Sequence, residues 1–363
     1  MSETSRKRLL PRMAVVCLSD NYGGMEINAR LLASRLSRWS EYSVLITRRG
    51  TWLEQSAREF GINCFSVPMR WNFSPTAAYR IRAELYAKCI SAVIFLGSSE
   101  MKTLRFSLPS TVEEFIVRHG TPKRTSKKDV FHRTLWSKVT RHWAISKSMS
   151  TNVEKIYPVA GKKILVNYTG QGEKLAIMPF PLEIGGTSEK LKIAHIGRIE
   201  AVKGQFDVLE VLKSMLSRGV DAEVTFYGKG RELEKLMKSA SDAGLTSHVH
   251  FAGQVDAPYQ YLNQFHFFVY PSYSEGFGSA FTEAISSGIH CFCYDNTCFP
   301  EYRTLGFNYQ MFETGDINAL SEAVFDTWHR QEPQPIGNRK LAVQFFSDEA
   351  EMSRLQKAIS EKG

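Results

Sequence analysis

The sequence predicts an α/β protein with two doubly wound parallel sheets in tandem. Short apolar runs alternate with amphipathic helical patterns along most of the chain, which is typical of parallel strands joined by crossover helices. The chain has 363 residues, which is long for one domain. A glycine turn also follows the first predicted strand of each half. We therefore expect two α/β domains, each with a ligand site at the carboxyl ends of its strands.

The first half reads as strands that are each followed by a helix or turn. Its predicted strands are 13–18, 42–47, 62–67, 92–96, 115–117, 143–146 and 163–167, and its clearest predicted helices are 27–36, 52–60 and 77–89. Gly23 and Gly24 separate the first strand from the first helix. Paired glycines let a phosphate approach the backbone closely, although the same pair also suits a plain turn.

The second half repeats this pattern after an irregular segment, 169–190, that is rich in glycine and proline. Its predicted strands are 191–196, 222–227, 249–253, 267–270 and 289–294, and its predicted helices are 205–216, 233–243, 279–288, 319–328 and 341–359. The resulting domains are 1–168 and 169–340, and we expect the last helix, within 341–363, to pack back on the first domain.

The most specific motif is the stretch 274–288, which reads SEGFGSAFTEAISSG and follows an apolar strand. A strand, a glycine turn and a helix N-terminus form an anion site, because free backbone N–H groups point outward there. Glu275 and Glu283 bracket the turn, eight positions apart. Carboxylates accept paired hydrogen bonds from the vicinal hydroxyls of sugars and riboses. The alternative is that both are solvated charges.

Two cations follow the first strand of the second half. Arg198 and Lys203 stand in a GRxxxxKG arrangement that runs from Gly197 to Gly204. A guanidinium offers a planar fork to phosphate oxygens, and a lysine offers a point charge. Such a pair suits the stabilisation of negative charge on a diphosphate leaving group. Two ordinary surface cations are the alternative interpretation.

Together, these motifs resemble the signature of retaining, nucleotide-sugar-dependent glycosyltransferases of family four. These include bacterial lipopolysaccharide and glycan-type enzymes, and they have the GT-B fold, in which two Rossmann-like domains face a central cleft. The resemblance is strong over 191–288 and looser before it. It implies that the second domain binds a nucleotide-diphosphate sugar and the first a glycan or glycolipid acceptor. One departure is His290, where the family usually has a proline.

The resemblance assigns roles residue by residue. It puts Glu283 on the ribose hydroxyls, Glu275 near the donor sugar, and Arg198 and Lys203 on the diphosphate. His119, after the strand 115–117, is similar to a family histidine that contacts the transferred sugar, with a structural histidine as the alternative. The remaining donor-binding positions lie in backbone turns and in the segment that holds the nucleotide base: Gly23, Gly24, Gly197, Gly228, Val255, Gly276, Phe277, Gly278 and Ser279.

The net charge of +9 is concentrated in the first half. Residues 1–168 contain 28 Lys and Arg against 12 Asp and Glu, a net +16, which leaves −7 for the remainder. This excess indicates an anionic partner: nucleic acid, acidic lipid or a phosphorylated substrate. The segment 118–147 holds nine of the cations and an apolar stripe of Phe131, Leu135, Trp136 and Val139. The stripe suits either an anionic membrane surface or packing on its own sheet.

The sequence has no run of about 18 apolar residues, and its N-terminal stretch lacks the apolar core of a signal peptide. Most of its six cysteines lie in apolar runs, as expected of buried thiols in a reducing compartment. We therefore predict a cytoplasmic protein that is peripheral on the inner face of the cytoplasmic membrane and has no nucleic-acid partner.

Metal binding is not predicted. Cys291 and Cys293 alternate along a predicted strand, and this spacing argues against a zinc site with His290 and Cys298. The sequence also has no Asp-x-Asp triad, which metal-dependent transferases of the other major fold use to hold a divalent cation. The nucleotide sugar is thus expected as a substrate, without a metal or other cofactor.

Two other functions remain open at this stage. A nucleotide-sugar epimerase on the same fold would turn over without an acceptor. A protein that only binds glycan or nucleic acid would have lost the activity. The presence together of Arg198, Lys203, Glu275 and Glu283 argues against the second alternative.

Overall fold

The computed structural model describes residues 10–185 and 189–361. These residues form two compact units. Unit 1 contains the described residues up to Tyr168 and those from Glu351 onward, and unit 2 contains those from Thr169 to Ala350.

Unit 1 is built around a parallel sheet whose seven strands are β1 (Met13–Cys17), β2 (Ser43–Arg48), β3 (Cys64–Val67), β4 (Ala92–Leu96), β5 (Glu114–His119), β6 (Arg141–Ala144) and β7 (Lys163–Val166). Their order in the sheet is β3-β2-β1-β4-β5-β6-β7, so the direction of winding reverses between β1 and β4. All five residues of β1 and of β4 are buried, which explains why both strands are continuous apolar runs in the sequence.

The six helices that follow these strands are α1 (Gly24–Trp39), α2 (Trp52–Glu59), α3 (Pro75–Ala87), α4 (Met101–Ser107), α5 (Val130–Leu135) and α6 (Lys147–Ile156). Local signals determine where they start. At α3, the Ser74 side chain accepts a hydrogen bond from the N–H of Ala77, and Pro75 occupies the first turn, where its missing N–H costs nothing.

Unit 2 has six parallel strands, β8 (Leu191–Ile196), β9 (Ala222–Tyr227), β10 (Val249–Gly253), β11 (Phe267–Tyr270), β12 (His290–Tyr294) and β13 (Gln310–Phe312). Their order is β10-β9-β8-β11-β12-β13, which repeats the winding of unit 1 and reverses between β8 and β11. The helices are α7 (Lys174–Ile177), α8 (Gln205–Ser217), α9 (Leu233–Asp242), α10 (Ser279–Ser287), α11 (Phe299–Thr304), α12 (Ile317–His329) and α13 (Asn338–Phe346). Phe267, Phe292 and Trp328 are among the large side chains of its core.

The prediction of one C-terminal helix over 341–359 is wrong. The chain leaves α13 at Ser347 and starts a second helix, α14 (Asp348–Ser360). Helix α13 belongs to unit 2, whereas α14 belongs to unit 1 from Glu351 onward. There Glu351 forms a buried ion pair with Arg35 on α1, 2.8 Å between Oε2 and Nη1, and its carbonyl accepts a hydrogen bond from Asn167 Nδ2.

The apolar stripe predicted for 118–147 does not form one helical face. Helix α5 ends at Leu135, and the chain then turns inward, so that Trp136 and Val139 are buried while Phe131 is exposed. The alternative of packing on the unit's own core is therefore correct for Trp136 and Val139. Four short elements, α4, α7, α11 and β13, were not predicted.

Candidate active site

The predicted residues of unit 2 meet where the sheet reverses its winding. β8 pairs with β11, so the segments that follow the carboxyl ends of these two strands are neighbours. Gly197 and Arg198 follow β8, and Glu275 lies in the turn between β11 and α10. In open α/β sheets this position forms a crevice outside the strand ends, where ligands bind.

Glu275 is held by three donors on one carboxylate oxygen. Its Oε1 lies 2.5 Å from Lys203 Nζ and accepts hydrogen bonds from Tyr270 OH at 2.6 Å and from Ser272 Oγ at 3.1 Å. Burial first, and then the negative charge of Glu275, raise the pKa of Tyr270 well above its usual range, so this phenol remains a donor. The arrangement fixes the carboxylate, and its Oε2 has no hydrogen bond within the described residues, so this oxygen can accept one from a ligand.

The turn that carries Glu275 is also held from the other side. The Glu275 N–H donates to Thr297 Oγ1, 3.3 Å away. Thr297 has a φ of 47°, a left-handed conformation that is uncommon for a β-branched residue. Such strain persists only where the surrounding structure requires it, and it is frequent at functional sites.

Lys203 reaches Glu275 because its turn lies directly against the chain after β11. It ends a short 3-10 turn, Ala201–Lys203, and Gly204 follows with a φ of 72°. A Cβ atom on Gly204 would overlap the carbonyl oxygen of Pro271. Glycine is therefore required here both for the backbone conformation and for the close approach of the two segments.

Arg198 is exposed, unlike Lys203. Its backbone carbonyl accepts a hydrogen bond from Gln205 Nε2 at 2.8 Å, which fixes the residue at the end of β8. Among the described residues, its guanidinium has no hydrogen bond or ion pair. The side chain is thus positioned at the site and keeps its full donor capacity for an anionic ligand.

Gly228 supports this arrangement from the neighbouring strand. Its N–H donates to the carbonyl of Gly253, and a Cβ atom on it would overlap the carbonyl oxygen of Gly197. It therefore determines where the segment after β8 lies, and its amide hydrogen is already used by the protein. Val255, predicted beside the nucleotide base, is half-buried in the loop after β10.

Helix α10 begins at the site without a side-chain cap. Gly278 has a φ of 62° and precedes Ser279, the exposed first residue of the helix. An uncapped helix start presents backbone N–H groups and the positive end of the helix dipole to an anion. Phe277 anchors this turn, because its ring is buried and its carbonyl accepts a hydrogen bond from Tyr302 OH at 2.6 Å. Gly276 lies between this anchor and Glu275.

Glu283 is 9% exposed and lies one turn into α10. Its Oε1 is 2.5 Å from Nζ of Lys174, a residue of α7. Sequence reasoning missed this partner, since Lys174 is 109 positions away in a segment without a recognisable motif. It also missed Tyr270, Ser272 and Thr297, although the first two lie immediately before the motif.

In unit 1, Gly23 and Gly24 lie where α1 follows β1, beside the reversal between β1 and β4. Gly23, the N-cap residue of α1, has an extended backbone conformation and provides no side-chain cap. A Cβ atom on Gly24 would meet no atom within 4 Å. The geometry of this unit alone does not require glycine at either position. Their predicted contact with the donor phosphates stays a prediction.

His119 has the surroundings of a structural histidine. It is the last residue of β5 rather than a residue beyond the strand, and it is 7% exposed. Its Nε2 shares a hydrogen bond of 2.9 Å with His142 Nδ1, and its ring packs against Trp136 and Tyr157. Burial lowers the pKa of His119 well below its usual range and that of His142 to about 3, so both are neutral. Its predicted contact with the transferred sugar stays a prediction.

The described residues include no group of three or more His, Cys, Asp or Glu side chains that could hold a metal ion. Cys291 and Cys293 lie on the buried strand β12, where burial raises the pKa of both thiols well above the usual range.

Known proteins resemble this chain both over its second unit and over most of its length. The family model described as "Glycosyl transferases group 1" matches residues 183–335, which lie in unit 2. The capsular polysaccharide biosynthesis glycosyltransferase CapH of Staphylococcus aureus is 24% identical over 276 residues, which cover 73% of this chain and 76% of that protein. The poly(glycerol-phosphate) alpha-glucosyltransferase of Bacillus subtilis is 26% identical over 145 residues, 40% of this chain and 22% of the relative.

Solved structures show the same fold. The lipopolysaccharide outer core galactosyltransferase WaaB, in its apo form, has a TM-score of 0.71 and 18% identity, with 98% of this chain and 100% of that chain covered. Anabaena HepE in complex with UDP and glucose has a TM-score of 0.75 and 15% identity, with 96% and 99% covered.

The two sheets, their winding and the matched structures give the protein the GT-B fold. Its second unit carries a glycosyl transferases group 1 domain, and the chain is a glycosyltransferase. The predictions of the fold class and of an enzyme are confirmed.

Proposed function

We propose that this chain is a retaining glycosyltransferase of family four that moves a sugar from a nucleotide-diphosphate sugar to a glycan or glycolipid acceptor. The observation that carries the proposal is the ion pair of Lys203 with Glu275, next to the uncapped start of α10 and to the Arg198 guanidinium, which has no partner in the described part of the chain. Two cations and a helix N-terminus converge where a diphosphate leaving group develops negative charge. Glu275, fixed by its three donors, faces the donor sugar.

The comparisons suggest which donors and acceptors to test. Solved structures of HepE contain UDP or UDP-glucose, so UDP-sugars are the first choice. The names of the relatives refer to capsular polysaccharide, poly(glycerol-phosphate) and lipopolysaccharide outer core. For this chain we propose an acceptor such as lipopolysaccharide core or a lipid-linked glycan, bound by unit 1, and transfer that needs no metal.

The test is incubation of the purified protein with UDP-, GDP- and ADP-sugars, with EDTA present throughout. We expect release of the nucleoside diphosphate from one donor, and a faster release when a glycolipid acceptor is added. Conversion of the donor sugar to its epimer without an acceptor would identify an epimerase instead. Binding without any turnover would identify a non-catalytic glycan-binding protein.

We also propose that the protein acts as a peripheral protein on the cytoplasmic face of an anionic membrane. Unit 1 exposes four aromatic side chains on adjoining segments, and we call this group the aromatic surface: Trp71 (69% exposed), Phe73 (45%), Phe106 (60%) and Phe131 (56%). The Phe73 and Phe106 rings are 6.1 Å apart, and Lys102 Nζ lies 5.3 Å from the Phe131 ring. No helix within the described ranges has the length and apolar composition to cross a bilayer.

Charge supports a bilayer as the occupant of the aromatic surface. Its segments, 68–76, 101–107 and 128–138, contain six Lys and Arg against one acid, Asp129. A hydrogen bond from Arg105 to Ser137 and others between Thr103 and residues 72–74 join these segments. Exposed aromatic rings surrounded by cations are suited to the interface of an anionic membrane, where each cation adds about 1 kcal/mol.

Replacing Trp71 and Phe131 together by serine is expected to reduce binding to phosphatidylglycerol vesicles at least tenfold in a flotation assay. Tyr86→Ser is the matched control, because Tyr86 is 66% exposed on the last turn of α3 and lies outside the aromatic surface. High salt should weaken binding of the native protein. Equal binding to neutral vesicles, or an equal loss in the Tyr86 variant, would refute membrane docking through this surface.

A further inference from the structure

A lysine from the irregular segment before the second sheet pairs with the carboxylate predicted to bind ribose. Lys174 lies on α7, in the segment 169–190, and its Nζ is 2.5 Å from Glu283 Oε1. Its ammonium also lies 5.1 Å from the centre of the Tyr259 ring, on the 3-10 turn Pro258–Gln264. Lys174 is therefore fixed by two contacts from different elements of unit 2.

The burial of the two partners differs. The Glu283 side chain is 11% exposed and the Lys174 side chain is 34% exposed. A carboxylate this far from water needs a counter-charge, and among the described residues Lys174 is the one cation in contact with it. Lys174 is therefore the counter-charge of Glu283 rather than an ordinary surface cation.

The pair also leaves Glu283 with binding capacity. Lys174 takes one lone pair of Oε1, and Oε2 has no hydrogen bond within the described part of the chain. A carboxylate has about four lone-pair sites, enough for the lysine and two hydroxyl donors. With one oxygen fixed, the carboxylate plane is held in a single orientation, as recognition of two adjacent hydroxyls requires.

We propose that Lys174 is a positioning residue that orients the Glu283 carboxylate and so gives the site its selectivity for ribonucleotides over 2′-deoxyribonucleotides. This inference rests on the proposed donor site, in which Glu283 accepts the 2′- and 3′-hydroxyls of the ribose. It assigns Lys174 no contact with the nucleotide, and it therefore predicts an effect on diol recognition and not on diphosphate binding.

The experiment is calorimetric titration with whichever of UDP, GDP and ADP binds best, and with its 2′-deoxy form. We expect the native protein to prefer the ribonucleotide at least tenfold. In Lys174→Met this preference should fall to about twofold or less, because ribonucleotide affinity drops while 2′-deoxynucleotide affinity is nearly unchanged. Lys174→Arg, which keeps the charge, should restore most of the preference. The double variant that combines Lys174→Met with Glu283→Gln should lose no more of the ribonucleotide preference than Glu283→Gln alone.

Lys190→Met is the matched control. Lys190 belongs to the same segment, is 39% exposed, and pairs at 3.6 Å with Asp221 and with Glu223, away from Glu283. It should keep the native preference. The role of Lys174 is overturned if Lys174→Met loses affinity equally for both nucleotides, or if it keeps the native preference for the ribonucleotide. Either result leaves the ribose assignment intact as long as Glu283→Gln has a weaker ribonucleotide preference than the native protein. If the native protein itself shows no preference, the ribose assignment of Glu283 fails first, and this inference fails with it.

Discussion

Arg198→Ala and Lys203→Ala are each expected to lower kcat/KM by roughly 30- to 1,000-fold, or about 2–4 kcal/mol of transition-state stabilisation. The physical reason is the charge that develops on the diphosphate when the sugar bond breaks. Within the described ranges the Arg198 guanidinium, at the end of β8, has no hydrogen bond or ion pair, and Lys203 brings a second cation from the adjoining turn. Steady-state kinetics with the best donor sugar measure both losses.

The two variants should differ in their effect on the fold. Arg198 has no side-chain partner among the described residues, so Arg198→Ala should leave the melting temperature unchanged. Lys203→Ala removes the counter-charge of Glu275, whose side chain is only 11% exposed, and should destabilise unit 2 as well. Lys213→Ala, on the exposed face of α8, is the control and should keep native kinetics. Near-native kcat/KM in both variants would remove the diphosphate assignment.

The strands were predictable because buried parallel strands are continuous apolar runs. The predicted bounds of 92–96, 191–196 and 222–227 coincide with β4, β8 and β9. The alternation with helices then implied the doubly wound order, and both sheets have it. Short elements gave no such signal: α7 has four residues and β13 has three, too few for a hydrophobic period to be visible.

The site was predictable only in part, because its partners are distant in sequence. The pairing of Lys203 with Glu275 joins two motifs that the sequence showed separately. The lysine on Glu283 and the strained Thr297 under Glu275 depend on loop conformations that no local pattern encodes. The contacts of His119 with His142 and Tyr157 were likewise not indicated by its position in the chain, and its predicted contact with the sugar stays a prediction.

Gly204→Ala is expected to impair both stability and activity, because the residue is required for two reasons. Its φ of 72° is left-handed, which costs an alanine about 1 kcal/mol. Its Cβ would also overlap the carbonyl oxygen of Pro271, and separating two packed segments costs roughly 1–3 kcal/mol more. Since 1 kcal/mol shifts the melting temperature of a unit this size by about 2–4 °C, the expected decrease is roughly 5–15 °C.

The chain offers a control that separates these two causes. Gly219, just after α8, has a φ of 80°, and a Cβ there would meet no atom within 4 Å. Gly219→Ala should therefore carry only the left-handed cost, a decrease of about 2–4 °C, and leave kcat unchanged. Gly204→Ala should in addition lower kcat of the folded enzyme, because Pro271 precedes the turn that presents Glu275 to Lys203. Equal melting temperatures and equal kcat values in the two variants would show that the close approach of these segments does not hold the site together.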